Sequence, residues 1–143
     1  MQCFKTVFFI VALCLLSACN MDKMAAKMVP ADILEKNEAV VENVLAANAE
    51  YFTEFDAEDM EKAKVFFEEN TSKGKVMRQD FVGVSTSTSI SPGEGKSKNI
   101  SLDVEVQTEE GFTLISTQYV LDKDGKCCAL ANVNAQKFET SPI

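Results

Sequence analysis

The sequence contains no histidine and no tryptophan. Without histidine, the chain cannot form a Ser-His-Asp or Cys-His catalytic arrangement, and it cannot build a histidine-ligated zinc site. Histidine is also the commonest general base near neutral pH, so acid–base catalysis lacks its usual agent. These absences favour a protein that binds over a protein that catalyses.

Positive charge is scarce as well. The chain has 14 Lys and Arg against 22 Asp and Glu, for a formal net charge of −8. Binding nucleic acid through its phosphates needs clustered Lys and Arg, so that class of partner is excluded. Adhesion to anionic lipid by charge is excluded for the same reason. The acidity predicts solubility and mutual repulsion, and the alternative is a surface for a basic partner.

Residues 1–18 have the pattern of a secretory signal. Lys5 supplies one positive charge, and an apolar run follows from Thr6 to Leu16. This run is shorter than the roughly 20 apolar residues that a membrane-spanning helix needs. A basic start, a short apolar core and small residues before a cleavage site are typical of a signal peptide that is removed.

The end of this segment, Leu16-Ser17-Ala18-Cys19, resembles the lipobox of bacterial lipoproteins. The resemblance implies cleavage between Ala18 and Cys19, a diacylglyceryl group on Cys19 and an acylated amino terminus. Several acyl chains hold a protein on a membrane far more firmly than one chain does. Asn20 is not the aspartate that retains lipoproteins at the inner membrane of enteric-type bacteria. The resemblance therefore implies anchoring at the periplasmic face of the outer membrane.

The mature chain implied by this resemblance is residues 19–143, with a net charge of −9 because the signal carries one Lys and no acid. We expect a tether at 19–30 and a single domain at 31–143. Only Cys127 and Cys128 then remain as unmodified cysteines in an oxidising compartment. The alternatives are one buried and one partly exposed thiol, an intermolecular disulfide through Cys128, or a disulfide between the two neighbours. Strand alternation predicts that Cys127 faces inward with Ala129 and Ala131.

Two helices are predicted in the first half of the domain. After Pro30, apolar residues recur at helical spacing from Ile33 to Phe55, although Asn37 and Asn48 interrupt this stripe. Asp56 is the predicted N-cap of a second helix, which ends before Gly74. The residues expected on its buried side are Met60, Ala63, Phe66 and Phe67.

After Gly74 the pattern changes to strands. The four predicted strands run from Val76 to Ile90, from Ile100 to Val106, from Phe112 to Leu121, and from Cys127 to Val133 with a possible extension to Phe138. Gly83 predicts a bulge or a close backbone approach in the first of them. Short turns between the strands indicate hairpins. The fold class is therefore α+β, with two N-terminal helices packed on one face of a four-stranded antiparallel meander sheet.

Two stretches carry a resemblance to the cystatin-like and NTF2-like α+β domains. Phe52-Thr53-Glu54-Phe55-Asp56, continuing into Asp59-Met60-Glu61-Lys62-Ala63-Lys64, is similar to the break between the first two helices of that group. The segment from Phe112 to Val133, through Asp124-Gly125-Lys126, is similar to the last hairpin of the group. Because this fold hosts unrelated functions, the resemblance implies architecture more than activity.

Other motifs are assigned to ordinary structure. Asp122-Lys123-Asp124-Gly125 resembles the start of a calcium loop, but the position for the final Glu ligand is Val133, so a hairpin turn is predicted. Glu68 and Glu69, or Asp103 and Glu105, are candidates for a carboxylate pair in acid–base chemistry, but Asp103 and Glu105 are expected on the solvated face of their strand as ordinary surface charges. No metal or cofactor is expected. The hydroxyl-rich run Ser85-Thr86-Ser87-Thr88-Ser89 predicts a solvated edge strand, or an edge that pairs with a partner strand.

The sequence leaves three functional hypotheses. The first is a non-catalytic, lipid-anchored domain that binds or scaffolds an envelope protein. The second is an acidic inhibitor or immunity-type protein that captures a basic toxin or a lysozyme-like enzyme by charge. The third is an NTF2-like protein with a pocket for a small ligand, which requires an apolar cavity with convergent polar groups.

Overall fold

The computed structural model describes Lys27 and residues 29–52, 56–93, 95–121 and 128–141. The predicted signal at residues 1–18, Cys19, most of the tether, Phe55, the turn at 122–125 and Cys127 lie outside these residues. Within the described part of the chain, two α-helices precede a four-stranded antiparallel sheet, which confirms the α+β class.

The first helix, α1, spans Ala31–Leu45 and begins directly after Pro30, as the sequence predicts. The carbonyl of Pro30 accepts backbone hydrogen bonds from Ile33 and Leu34 at 3.0 and 3.2 Å. The apolar stripe lies on the buried side of this helix, at Ile33, Val40, Val41 and Val44.

The predicted continuation of this helical face to Phe55 is wrong, because α1 ends at Leu45. Ala47 adopts a left-handed φ of +51°. The N–H groups of Ala47 and Asn48 donate to carbonyls three and five residues earlier, at 3.1 and 2.9 Å. These two bonds form a Schellman stop, and a short 3-10 helix, Ala49–Tyr51, follows. The spacing of apolar side chains does not predict where α1 ends, because backbone hydrogen bonds terminate this helix.

The second helix, α2, spans Ala57–Asn70, and the Asp56 carboxylate accepts the backbone N–H of Asp59 at 2.9 Å. This bond confirms the predicted N-cap. Phe67 is buried, but Phe66 is 38% exposed, so the prediction for Phe66 is wrong. Consecutive side chains on a helix point about 100° apart, and only one of the two rings reaches the core.

The sheet has the strand order β1-β2-β3-β4, and each strand pairs antiparallel with the next. The strands are β1 at Val76–Ser91, β2 at Gly95–Thr108, β3 at Gly111–Leu121 and β4 at Ala129–Phe138. The predicted meander is therefore confirmed. β2 begins at Gly95 and not at Ile100, because residues 95–99 continue the pairing with the end of β1.

A bulge interrupts β1 at the predicted place. The pairing with β2 shifts register between Phe81 and Gly83, so Val82 is the additional residue. A Cβ atom on Gly83 would lie 2.7 Å from a carboxylate oxygen of Asp103. Glycine at position 83 therefore leaves room for the Asp103 side chain.

A second bulge changes the facing of β4. The register with β3 shifts between Leu130 and Asn132, which leaves Ala131 as the additional residue. Before the bulge, Cys128 and Leu130 pack against the core, whereas Ala129 and Ala131 are exposed. The predicted inward face containing Ala129 and Ala131 is wrong, because a bulge moves the alternation of side chains by one residue.

The core consists of two apolar clusters. One contains residues from both helices, from the segment between them and from three strands: Val40, Val41, Val44, Phe52, Phe67, Val104, Val106, Ile115 and Ala135. The other contains Val29, Ile33, Ile100, Leu102, Tyr119 and Leu121. None of the described helices is long and apolar enough to cross a membrane.

Candidate functional site

A cavity of about 420 Å³ lies between α1 and the first two strands. The helix contributes Leu34, Glu35, Asn37, Glu38 and Val41, and the strands contribute Gln79, Asp80, Phe81 and Val104. This volume lies within the range of about 300–1,000 Å³ that ligand pockets occupy. The cavity therefore provides room for a small ligand or for the side chains of a partner.

The walls of the cavity follow from local structure. Leu34, Asn37 and Val41 recur at helical spacing and therefore share one side of α1. Phe81 and Val104 are paired across β1 and β2, so their side chains point to the same face of the sheet. The lining thus combines apolar side chains from the helix and both strands with one amide from the helix, Asn37, and one from β1, Gln79.

Asn37 is the polar group at the centre of this wall, and its side chain is 1% exposed. Its Oδ1 atom accepts hydrogen bonds from the hydroxyls of Thr117 and Tyr119, each at 2.7 Å. The Thr117 hydroxyl also lies 3.4 Å from the carbonyl of Leu102. Two strand hydroxyls therefore hold the Asn37 amide in one orientation.

The Nδ2 group of Asn37, a residue that lines the cavity, has no hydrogen-bond partner among the described residues. Among the described residues, every fully buried side-chain nitrogen and oxygen atom has a hydrogen-bond partner. The Nδ2 group donates to none of them, so it retains accessible surface, and Asn37 lines the cavity. The structure therefore presents a positioned N–H donor to whatever occupies this space.

Burial raises the pKa of Tyr119 above its ordinary value of 10.0, and the hydrogen bond with Thr117 opposes this shift. Burial has this effect because it disfavours the charged phenolate. The Tyr119 hydroxyl consequently stays protonated across the physiological pH range and remains a donor to Asn37.

The exposed rim of the cavity is acidic. Glu35 and Glu38 are exposed, and neither forms an ion pair with any described residue. Asp80 differs, because its carboxylate lies 2.6 Å from the Arg78 guanidinium. No cationic side chain lines the cavity within the described ranges. The two helical carboxylates thus favour a positive group at the mouth.

The predicted cysteine site is described only at Cys128, since Cys19 and Cys127 lie outside the described residues. Cys128 takes part in a disulfide bond. Its side chain is half-buried, and its carbonyl accepts a hydrogen bond from Lys36 Nζ at 2.9 Å. This bond joins α1 to the start of β4, and neither Lys36 nor Cys128 lines the cavity.

Glu105 is not solvated, and that prediction is wrong. Its side chain is 5% exposed, its Oε2 atom accepts the Ser141 hydroxyl at 2.9 Å, and Arg78 lies 3.9 Å from Oε1. The segment after β4 therefore covers this part of the polar sheet face. Asp103 is only half-buried. The two carboxylates remain separate from the cavity.

The other predicted groups lie apart from the cavity. Glu68 and Glu69 are exposed on α2, and residues 85–89 are exposed along the edge strand β1. Within the part of the chain that the structure describes, no three His, Cys, Asp or Glu side chains are grouped as metal ligands.

Sequence reasoning missed Asn37 as a site residue and treated it as an interruption of the apolar stripe. Its position nevertheless carried a signal, because it lies four residues after Ile33 and three before Val40, on the buried side of α1. A polar residue in phase with an apolar stripe needs a buried hydrogen-bond partner. The sequence does not show which strand supplies that partner.

The sequence matches no protein-family model and no curated protein, and the fold matches no solved structure.

Proposed function

We propose that this protein is a bacterial lipoprotein, anchored through lipid on Cys19 at the periplasmic face of the outer membrane, whose domain binds a partner without chemical turnover. The signal pattern at residues 1–18 and Leu16-Ser17-Ala18-Cys19 support the anchor. Acyl chains attached there would keep the domain close to the membrane surface.

The observation that carries the binding role is the Asn37 amide in the cavity wall. Its carbonyl oxygen accepts hydrogen bonds from Thr117 and Tyr119, while its Nδ2 group has no partner among the described residues and is free to bind an occupant of the cavity that Asn37 lines. A few positioned polar groups in an otherwise apolar wall are typical of a binding pocket. The α1–β1 cavity is therefore our candidate binding site.

We also propose that both helices cover the same face of the sheet, in a cystatin-like or NTF2-like arrangement. Val41 of α1 and Phe67 of α2 belong to one apolar cluster with Val104 and Ile115. Val104 and Ile115 are paired across β2 and β3, and paired residues point to the same face. This arrangement leaves the cavity where α1 overhangs the edge strand.

A second candidate function is an acidic inhibitor or immunity-type role against a basic toxin or a lysozyme-like enzyme. The observation that favours it is the pair of carboxylates at the rim, Glu35 and Glu38, which have no ion-pair partner among the described residues. Electrostatic complementarity of this kind speeds association with a basic protein. Strongly salt-dependent binding to lysozyme-like enzymes, with loss of their activity, is the distinguishing result.

The anchor is tested by metabolic labelling with palmitate and by membrane fractionation. We expect Cys19→Ser to remove the label and to release the protein from the membrane fraction. The matched control is Cys14→Ser, which removes a cysteine from the signal and should leave labelling unchanged. A Cys19→Ser protein that is still labelled and still sediments with membranes overturns the anchor.

The binding role is tested in intact cells with a photo-crosslinking amino acid placed at position 34, in the cavity wall, or at position 42. Glu42 is exposed on the same helix but does not line the cavity. We expect a discrete crosslinked species from position 34 only. The absence of any crosslink from position 34 counts against the cavity as a binding site. Turnover of envelope fragments that is lost in Glu35→Gln or Glu38→Gln overturns the non-catalytic assignment.

A further inference from the structure

Three different groups converge on the cavity between α1 and β1. Its interior is apolar, with Leu34 and Phe81 among the lining residues. The Asn37 Nδ2 group, which has no hydrogen-bond partner among the described residues, supplies a donor in the helical wall. Glu35 and Glu38 supply two negative charges at the mouth. A suitable occupant therefore needs an apolar part, a hydrogen-bond acceptor and a positive charge within one short stretch.

We propose that this cavity binds an extended segment of a protein partner in which a lysine or arginine lies beside an apolar residue. This inference rests on the proposed binding function and specifies its ligand. The apolar side chain of the segment packs in the cavity against Leu34 and Phe81. A main-chain carbonyl accepts the hydrogen bond from Asn37, and the cationic side chain lies between Glu35 and Glu38.

The position of β1 favours a peptide over a free amine. β1 is at the edge of the sheet, so alternate backbone N–H and C=O groups point away from β2. Residues 79–81 of this edge strand form one wall of the cavity. An extended segment seated in the cavity therefore runs beside backbone groups that pair with no described residue, which is the arrangement that strand addition uses. A small free amine leaves these groups and the Asn37 donor without partners.

The charge balance agrees with a basic segment. The mature chain carries −9, and the two rim carboxylates are not neutralised by any described Lys or Arg. A glutamate in place of the lysine would face two like charges, and no Lys or Arg is among the described residues that line the cavity. The site thus discriminates by repulsion as well as by attraction.

The test uses the full-length lipoprotein in phosphatidylcholine nanodiscs, because this lipid has no net charge to attract a basic peptide. The probe is the capped peptide Val-Lys-Leu-Lys-Val carrying a fluorophore, and its binding is followed by anisotropy. The comparison probes replace both lysines with glutamate or with norleucine. We expect the lysine peptide to bind, the norleucine peptide to bind more weakly, and the glutamate peptide not to bind. Equal binding of all three peptides overturns the proposal.

A charge-matched pair of double variants locates the site. Glu35→Gln/Glu38→Gln removes the two rim charges, and we expect it to weaken binding of the lysine peptide about fivefold, as two exposed ion pairs would. Asp32→Asn/Glu42→Gln removes two exposed charges from the same helix that do not line the cavity, and should weaken binding less. Equal weakening by the two double variants indicates a diffuse charge effect and overturns the site.

Free amines are tested by competition with 1,5-diaminopentane. We expect this diamine to displace the peptide only when it is in large excess. Displacement at the same concentration as unlabelled peptide shows that the site takes a free amine and overturns the peptide assignment. A crosslink from position 34 in cells, together with no binding of the lysine peptide, disproves this inference and leaves the proposed binding function standing. If position 34 gives no crosslink and the lysine peptide does not bind, both the proposed binding function and this inference are wrong.

Discussion

The Tyr119 hydroxyl donates a 2.7 Å hydrogen bond to Oδ1 of Asn37, and both side chains are almost completely buried. The bond joins the middle of α1 to the third strand of the sheet. It satisfies the oxygen of a buried amide that lines the cavity and whose nitrogen has no hydrogen-bond partner among the described residues. The same contact therefore contributes to stability and orients the donor of the candidate site.

Removing the Tyr119 hydroxyl tests this contact. We expect Tyr119→Phe to lower the free energy of unfolding by about 1–2 kcal/mol, since Asn37 keeps only one of its two donors in a buried position. Urea denaturation gives the value. Tyr51→Phe is the control, because Tyr51 is 39% exposed. A Tyr119→Phe protein as stable as the wild type shows that the hydrogen bond makes no net contribution to the free energy of unfolding.

Stability at high pH depends on the same residue. The unfolded chain loses the Tyr119 proton near pH 10, whereas the folded protein retains it because burial raises the pKa. The stabilising contribution is therefore complete below pH 10 and declines above it by about 1.4 kcal/mol per pH unit.

Comparison with Tyr119→Phe isolates this effect, since lysines titrate in both proteins. Between pH 10 and pH 12 we expect the stability of the wild type to fall more steeply than that of the variant, by about that slope. Parallel stability curves in urea denaturation at each pH contradict the raised pKa of Tyr119.

The left-handed residue after α1 predicts a stabilising substitution. Ala47 has a φ of +51°, a region where glycine carries no side-chain penalty. We expect Ala47→Gly to raise the free energy of unfolding by up to about 1 kcal/mol, because glycine is the preferred residue at this position of a Schellman stop. Thermal denaturation measures the change.

Ala46→Gly is the matched control for that substitution. Ala46 has right-handed helical angles, φ −80° and ψ −4°. Glycine there gains no conformational advantage and adds freedom to the unfolded chain, so we expect a loss of about 0.5–1 kcal/mol. If both glycine variants lose stability, relief of strain at Ala47 is not the dominant effect.

Gly111 marks a close approach between β3 and the end of β4. A Cβ atom at this position would lie 2.8 Å from the carbonyl oxygen of Phe138. We expect Gly111→Ala to destabilise the protein by about 1–3 kcal/mol, because two backbones must separate. Gly93→Ala is the control, since nothing lies within 4 Å of a Cβ there although φ is +88°. If Gly111→Ala and Gly93→Ala lose the same amount of stability, backbone strain alone explains the loss and the contact with Phe138 does not contribute.

Filling the cavity provides a test that removes no charge. Gln79 is exposed and lines the cavity from β1. We expect Gln79→Trp to occupy the space, to reduce binding of the lysine peptide at least tenfold and to leave thermal stability nearly unchanged. Met77→Trp on the same strand is the control, because Met77 is 65% exposed and is not among the residues that line the cavity. If Gln79→Trp binds the lysine peptide as tightly as the wild type does, the peptide does not bind in the cavity.

Local patterns predicted the elements well where one short stretch contains the whole cause. The Asp56 cap depends on a backbone N–H only three residues away, and the apolar stripe of α1 depends on helical spacing. The end of α1 was missed because backbone hydrogen bonds at Ala47 and Asn48 stop the helix while apolar residues continue beyond it. The facing of Ala129 was missed because a bulge at Ala131 has no signature in the alternation.

The sequence by itself determined the acidic charge, the absence of histidine chemistry, the α+β class and the order of helices and strands. Composition and short-range periodicity suffice for these properties. Only the tertiary structure decided that Asn37 meets Thr117, which is 80 residues away, and that the space between α1 and the edge strand stays open. Both depend on how distant segments pack, and a buried amide takes its role from the partners that packing provides.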